Sequence, residues 1–60
     1  MAEIVKRGST APHGDEWGVV TEAGTVWFAW FHAADDYRTA LKYGDSAATL
    51  AALTARGLVV

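Results

Sequence analysis

Cysteine is absent from this 60-residue chain. Neither a disulfide nor a thiolate zinc site can therefore hold the fold together. A single core in a chain of this size supplies only about 3–5 kcal/mol, and small domains normally add a disulfide, a metal or a partner subunit. With disulfides excluded, a metal site built from imidazole and carboxylate groups and self-association are the remaining ways to stabilise the domain.

Basic residues are also scarce, because five Lys and Arg stand against seven Asp and Glu, for a formal net charge of −2. Binding to a phosphate backbone needs a basic face, so this balance argues against a nucleic-acid-binding class. The chain has no run of eighteen apolar residues, which predicts no membrane span. Residues 1–4 carry an acid where a signal peptide needs basic residues, and no apolar region follows. The expected location is the cytoplasm.

The pattern along the chain predicts one α+β domain over residues 1–60. Strands are expected at residues 2–7, 17–21 and 25–31, and the last two form a hairpin through Glu22, Ala23 and Gly24. Helical periodicity covers residues 33–43 and ends at Gly44; a second helix begins at Asp45 or Ser46 and ends at Gly57 in a Schellman arrangement. The economical packing is a three-stranded antiparallel meander with a C-terminal helical hairpin on one face, and a possible short last strand at residues 58–60.

The third predicted strand is apolar on both faces, although two short helices can cover only one. One face carries Thr25, Trp27, Ala29 and Phe31, and the other carries Val26, Phe28 and Trp30. Ala29 is small enough to admit a helix, whereas the second set makes a flatter surface suited to sheet-on-sheet contact. Tryptophan is enriched at interface hot spots. The pattern does not decide which face is core, but it favours Val26, Phe28, Trp30 and Trp17 as the interface residues.

Two histidines lie near carboxylates, His13 before Asp15 and Glu16, and His32 before Asp35 and Asp36. Imidazole and carboxylate groups suit divalent transition metals. The spacing matches no motif with a mechanism, and loop and helix-end positions explain both histidines, so no metal or cofactor is expected. The hydroxyls near turns lie in no strand–elbow–helix context, and the glycines form no phosphate loop. We expect no enzymatic activity.

The leading hypothesis is a non-enzymatic homo-oligomeric interaction protein that binds a protein partner. The abundance of Ala, Val, Gly and Thr suits a GC-rich genome, which favours a bacterial or phage-encoded regulator or inhibitor. The alternative is a small nucleic-acid-binding regulator, in which the aromatic third strand stacks bases and Lys6 and Arg7 supply positive charge. A more distant alternative is a metal-dependent site that uses His13 and His32.

Overall fold

The computed structural model of the chain describes residues 2–60 and contains one antiparallel sheet and two helices. The elements follow the order β1 (Glu3–Arg7), β2 (Glu16–Thr21), β3 (Gly24–Phe28), α1 (Phe31–Tyr43) and α2 (Ser46–Ala55). The strands lie side by side in the order β1-β2-β3. The predicted α+β class, three-stranded meander and helical hairpin are confirmed. Within the described residues, no helix combines the length and apolarity needed to cross a bilayer.

The β2–β3 hairpin closes more tightly than its sequence predicts. Thr21 pairs with Gly24, so the turn holds only Glu22 and Ala23. Gly24 adopts φ +130°, a backbone conformation that L side chains rarely take. The Thr21 hydroxyl donates a hydrogen bond to the Gly24 carbonyl at 3.0 Å and accepts one from the Ala23 amide at 3.2 Å. One threonine thus fixes both sides of the turn.

The end of α2 returns the chain to the sheet through the predicted Schellman motif. Gly57 has φ +73°. Its amide donates to the Thr54 carbonyl at 3.0 Å, and the Leu58 amide donates to the Leu53 carbonyl at 3.0 Å. These bonds satisfy carbonyls at the helix end and direct residues 58–60 back toward β3.

Residues 58–60 lie along the outer edge of β3. Val59 forms an antiparallel bridge with Phe28. The Ala29 amide donates to the Leu58 carbonyl, and the Val60 amide donates to the Trp27 carbonyl, both at 2.9 Å. The tail therefore satisfies backbone groups that an open strand edge would expose. β1 forms the opposite edge of the sheet.

The third strand ends at Phe28 rather than at residue 31, and α1 begins at Phe31, two residues before the predicted start. Trp30 is the N-cap residue, with extended backbone at φ −131° and ψ 143°, and its carbonyl accepts a 3.3 Å hydrogen bond from the Ala34 amide. Aromatic residues favour strands locally. This local preference predicts a strand at residues 30 and 31. The chain bends there instead, because α1 must pack on the sheet.

The core lies between the sheet and the helices. Val19 and Phe28 are fully buried, and they pack with Ala33, Ala34 and Leu53. α1 contacts all three strands, and α2 packs against α1. The two alanines let α1 approach the sheet closely, so even a short chain excludes water from this layer.

The helices cover the face of β3 that carries Val26 and Phe28, a choice between the two faces that the sequence of this strand leaves open. Directly opposite residues in an antiparallel sheet point to the same side. Phe28 lies opposite Trp17, and Val26 lies opposite Val19, whose other neighbour is Ile4. These apolar residues together make a continuous core face, which decides the side on which the helices pack.

Candidate interaction surface

Within residues 2–60, no helix packs on the face of the sheet turned away from α1, although the loop before β2 covers this face at Glu16. Val5, Gly18 and Trp27 lie opposite one another across its middle. Val5, Val20 and Trp27 stay outside the packed core. An apolar sheet face without a helix over it is a feature of a contact surface.

Trp27 is held flat on this face by its neighbours. A Cβ atom at position 18 would stand 2.9 Å from Cε3 and Cζ3 of the indole, so the ring occupies space that only glycine leaves open. The guanidinium carbon of Arg7 lies 3.8 Å from the Trp27 ring centroid. This distance is typical of a stacked cation–π contact. One face of the ring is therefore already occupied, and a nucleic-acid base would have to displace Arg7 to stack there.

Arg7 is itself fixed by Glu16, a charged residue that is only 5% exposed. Arg7 Nε donates to Glu16 Oε1 at 2.7 Å, and the Ser9 hydroxyl donates to Glu16 Oε2 at 3.1 Å. His13 Nε2 lies 3.7 Å from Glu16 Oε2. The hydrogen bond from Arg7 lowers the pKa of Glu16, and this effect outweighs the opposing effect of desolvation. The carboxylate consequently stays ionised at neutral pH.

The group formed by Ser9, His13 and Glu16 has the residue types of a hydrolytic triad but not its order of contacts. In a triad the histidine lies between the hydroxyl and the acid, so that it can accept the hydroxyl proton. Here the Ser9 hydroxyl bonds directly to the carboxylate, whose lowered pKa makes it a poor proton acceptor. Ser9 also accepts the Ala11 amide at 3.1 Å, which closes a local turn. The arrangement stabilises the loop, and its contacts differ from those of a triad.

A second exposed surface lies where α1 begins, and we call Trp17, Trp30, Phe31 and His32 the aromatic patch. Trp30 is 60% exposed and Phe31 is 44% exposed. Phe31 meets the Trp17 ring edge-on, with centroids 5.2 Å apart and planes at 77°, and its centroid lies 6.2 Å from that of His32. These contacts order the rings of Trp17, Phe31 and His32, while Phe31 and Trp30 keep large apolar surface in water.

The predicted interface residues divide between the core and this patch. Trp17 contacts Phe31 in the aromatic patch but also packs against the core, whereas Trp30 is the most exposed large apolar residue of the patch. Val26 packs against the core and Phe28 is fully buried. The chain's own helices cover these two side chains, so we correct their assignment as partner-binding residues. Sequence reasoning missed Phe31 as an exposed residue because it placed residue 31 in a strand.

The other sequence-predicted sites are not brought together. His13 lies beside Glu16, and His32 lies against Phe31. Across residues 2–60, no three His, Asp or Glu side chains converge as metal ligands would. The basic residues proposed for nucleic-acid contact are already paired: Lys6 lies 3.2 Å from Asp15, and Arg7 is bound to Glu16.

An open groove lies at the opposite end of α1, between the β2–β3 turn and the last helical turns. It is lined by Thr21, Glu22, Arg38, Leu41 and Tyr43, among others. Its charged groups are scattered, and Arg38 is paired with Asp35.

The chain matches no protein-family model, and neither curated proteins nor solved structures gave a significant match. Its function is consequently inferred from these surfaces.

Proposed function

We propose that this chain is a non-enzymatic interaction protein that self-associates and binds a protein partner through the aromatic patch, as a regulator or inhibitor would. The observation that carries the proposal is the exposure of Trp30 and of its chain neighbour Phe31, whereas Phe28 is the one aromatic side chain that is fully buried within residues 2–60. A folding domain gains by burying such side chains, so their display suggests that a partner buries them.

The order within the patch supports a binding role. Phe31 packs edge-on against Trp17, so its side chain loses less entropy on binding a partner than a freely rotating side chain would. Trp30 is the N-cap residue of α1, and its carbonyl accepts a hydrogen bond from the Ala34 amide, which holds its backbone at the start of the helix. The partner expected here has an apolar pocket that accepts an indole ring, because an indole is the largest exposed group of the patch.

Self-association is supported by the thin core and by the free edge of the sheet at β1. The five most buried apolar residues of the core cluster include two alanines, which contribute little area. A second copy would remove further apolar surface from water. The non-enzymatic assignment is supported by the contacts of Ser9 and Glu16, which tie the most reactive-looking group into the structure of a loop.

The test is affinity capture from an extract of the source cells, with the wild-type chain compared with Trp30→Ala and Tyr43→Ala. Tyr43 is the matched control, because it is 70% exposed but lies at the other end of α1, outside the patch. We expect one protein to be retained by the wild type and by Tyr43→Ala, and to be lost with Trp30→Ala. The retained protein is then purified and its dissociation constant for each chain measured by calorimetry.

The proposal fails if the purified protein binds Trp30→Ala as tightly as the wild type. It also fails if the wild type retains nucleic acid rather than protein after the column is washed at physiological salt without nuclease. In that case the regulator that binds nucleic acid becomes the better description.

A further inference from the structure

We propose that β1 pairs antiparallel with β1 of a second copy, in the register that places Glu3 of each copy opposite Arg7 of the other. The inference rests on the self-association in the proposed function and names the surface that performs it. It concerns the free edge of the sheet, which is separate from the aromatic patch.

The two edges of the sheet differ in how they are satisfied. The edge at β3 is covered by residues 58–60 through the bonds of Ala29 and Val60 described above. β1 has β2 on one side and no strand on the other within residues 2–60. Its outward backbone groups are therefore available to add a strand, which is a common mode of assembly.

The charges along β1 select a single register. A two-fold axis perpendicular to the sheet keeps the face of each residue, so only registers centred on a residue place same-facing side chains opposite each other. Centring on Val5 puts Glu3 opposite Arg7 and Val5 opposite its own copy. Centring on Lys6 would place two lysines opposite each other, and centring on Ile4 would leave the charges unmatched. The Val5 register alone makes two opposite-charge pairs, which stabilise neighbouring strands.

Charged residues on an edge strand usually prevent pairing. On β1 the charges at the two ends of one face have opposite signs, Glu3 at one end and Arg7 at the other. A two-fold axis therefore places each negative charge opposite a positive one, so the charges attract the second copy instead of repelling it. Glu3 is exposed and makes no ion pair within residues 2–60. It is therefore free to bind the second copy.

Arg7 is prepared to receive that carboxylate. Its guanidinium is fixed by Glu16 and by the Trp27 ring, yet 48% of the side chain remains exposed. A guanidinium carries five N–H donors, and Glu16 engages only part of them. A fixed arginine also loses little entropy when it binds a second carboxylate. Glu3 and Arg7 of one copy lie four residues apart on the same strand, about 13 Å at the rise of a β-strand, so this pair can form only across the two-fold axis.

The resulting dimer has one six-stranded sheet, with both helical layers on one side and both Trp27 residues on the other. Five residues per strand make a smaller interface than the roughly 1,600 Å² of a standard complex. We therefore expect a dissociation constant in the micromolar range.

Sedimentation equilibrium tests the charge pairs. Glu3→Lys should raise the dimer dissociation constant at least about tenfold, because it converts two attractive pairs per dimer into two repulsive ones. Glu22→Lys is the matched control, since it makes the same charge change on an exposed residue of the β2–β3 turn. It should leave the dissociation constant within about twofold of the wild-type value.

Disulfide trapping tests the register. Because the chain has no cysteine, every disulfide forms through an introduced residue. Val5→Cys should cross-link to itself under mild oxidation, because opposite Cβ atoms lie about 4.5–5.5 Å apart in an antiparallel pair. Ile4→Cys and Lys6→Cys should each cross-link poorly alone and efficiently when mixed. Glu22→Cys gives the background rate.

The inference is overturned if the chain is monomeric at about 300 μM, well above the expected micromolar constant. It is also overturned if a dimer forms that Glu3→Lys does not weaken, or if the cysteine pairs cross-link in another register. A dimer lost with Trp30→Ala but not with Glu3→Lys would place self-association on the aromatic patch. The affinity capture with Trp30→Ala tests partner binding independently, so neither a monomeric chain nor a dimer through the aromatic patch decides whether a partner binds.

Discussion

The indole of Trp27 fills the space over Gly18 that a side chain would occupy, with two ring carbons 2.9 Å from the position of a Cβ. Because Arg7 stacks on the same ring and bonds to Glu16, these contacts join residues of all three strands on the face without a helix. The glycine therefore has a packing role in the middle of β2.

Gly18→Ala should displace the ring and lower the free energy of unfolding by about 1–3 kcal/mol, the range for overpacked sites. The Trp27 indole resonance should shift in the nitrogen–proton spectrum, since its contact with Arg7 is disturbed. Gly8→Ala is the control, because nothing lies within 4 Å of its Cβ position. It should change the unfolding free energy by no more than about 0.5 kcal/mol. Equal effects of the two substitutions would contradict the packing role.

Acid should weaken the fold through Glu16. The pKa of this carboxyl is lowered in the folded chain, chiefly by the hydrogen bond from Arg7. Its stabilising contribution is therefore complete above the ordinary glutamate pKa of about 4.3 and is lost as the pH falls through the lower folded value. Urea melts between neutral and acid pH should show a smaller acid-induced loss for Glu16→Gln than for the wild type. Glu22→Gln removes a charge elsewhere and should keep the wild-type loss; a curve that matches Glu16→Gln would refute the assignment.

Phe28 and Trp30 should behave oppositely although sequence reasoning placed them on one face. Phe28→Ala removes a fully buried ring and should cost about 3–5 kcal/mol, enough to unfold most of the population. Phe28→Leu keeps part of the volume and provides a folded variant with a measurable loss. Trp30→Ala should change the unfolding free energy by less than about 1 kcal/mol, because the ring is largely in water. Urea denaturation of the three variants is the measurement, and a large loss for Trp30→Ala would place this ring in the core.

The C-terminal residue should stabilise the chain through its backbone. Val60 is exposed, but its amide donates to the Trp27 carbonyl at 2.9 Å. Val60→Pro removes this donor and should cost about 1 kcal/mol more than Val60→Ala, which keeps it. Thermal unfolding of the pair isolates the hydrogen bond. Identical transitions would show that residues 58–60 do not pair with β3.

The sequence is sufficient to predict the elements of this fold and their order. Alternation in residues 17–21, the turn at Gly24 and the glycines at positions 44 and 57 are local signals, and each has a local physical cause. The end of β3 is not local. Trp30 and Phe31 continue an aromatic strand pattern, and the helix begins there because the chain must cross to the core side of the sheet.

The orientation of the sheet could have been predicted had the three strands been read together. In the observed register Arg7 lies opposite Glu16, and both share a face with Trp27. An opposite-charge pair marks the solvent side of an antiparallel sheet, so it opposes a helical layer on that face. Reading β3 alone gives two equally apolar faces, which is why Phe28 was placed outside. The burial of Glu16 has no local sequence signal, because it depends on contacts with Ser9 and His13 across a loop.

Amide hydrogen exchange at two protein concentrations tests the central claim, that this is an interaction protein whose free β1 edge joins two copies. At about 300 μM, above the expected micromolar dissociation constant, the outward amides of β1 should exchange more slowly than at about 3 μM. Amides of the β2–β3 turn should exchange equally at both concentrations, and Glu3→Lys should abolish the difference in β1. Exchange in β1 that is identical at the two concentrations would contradict the account.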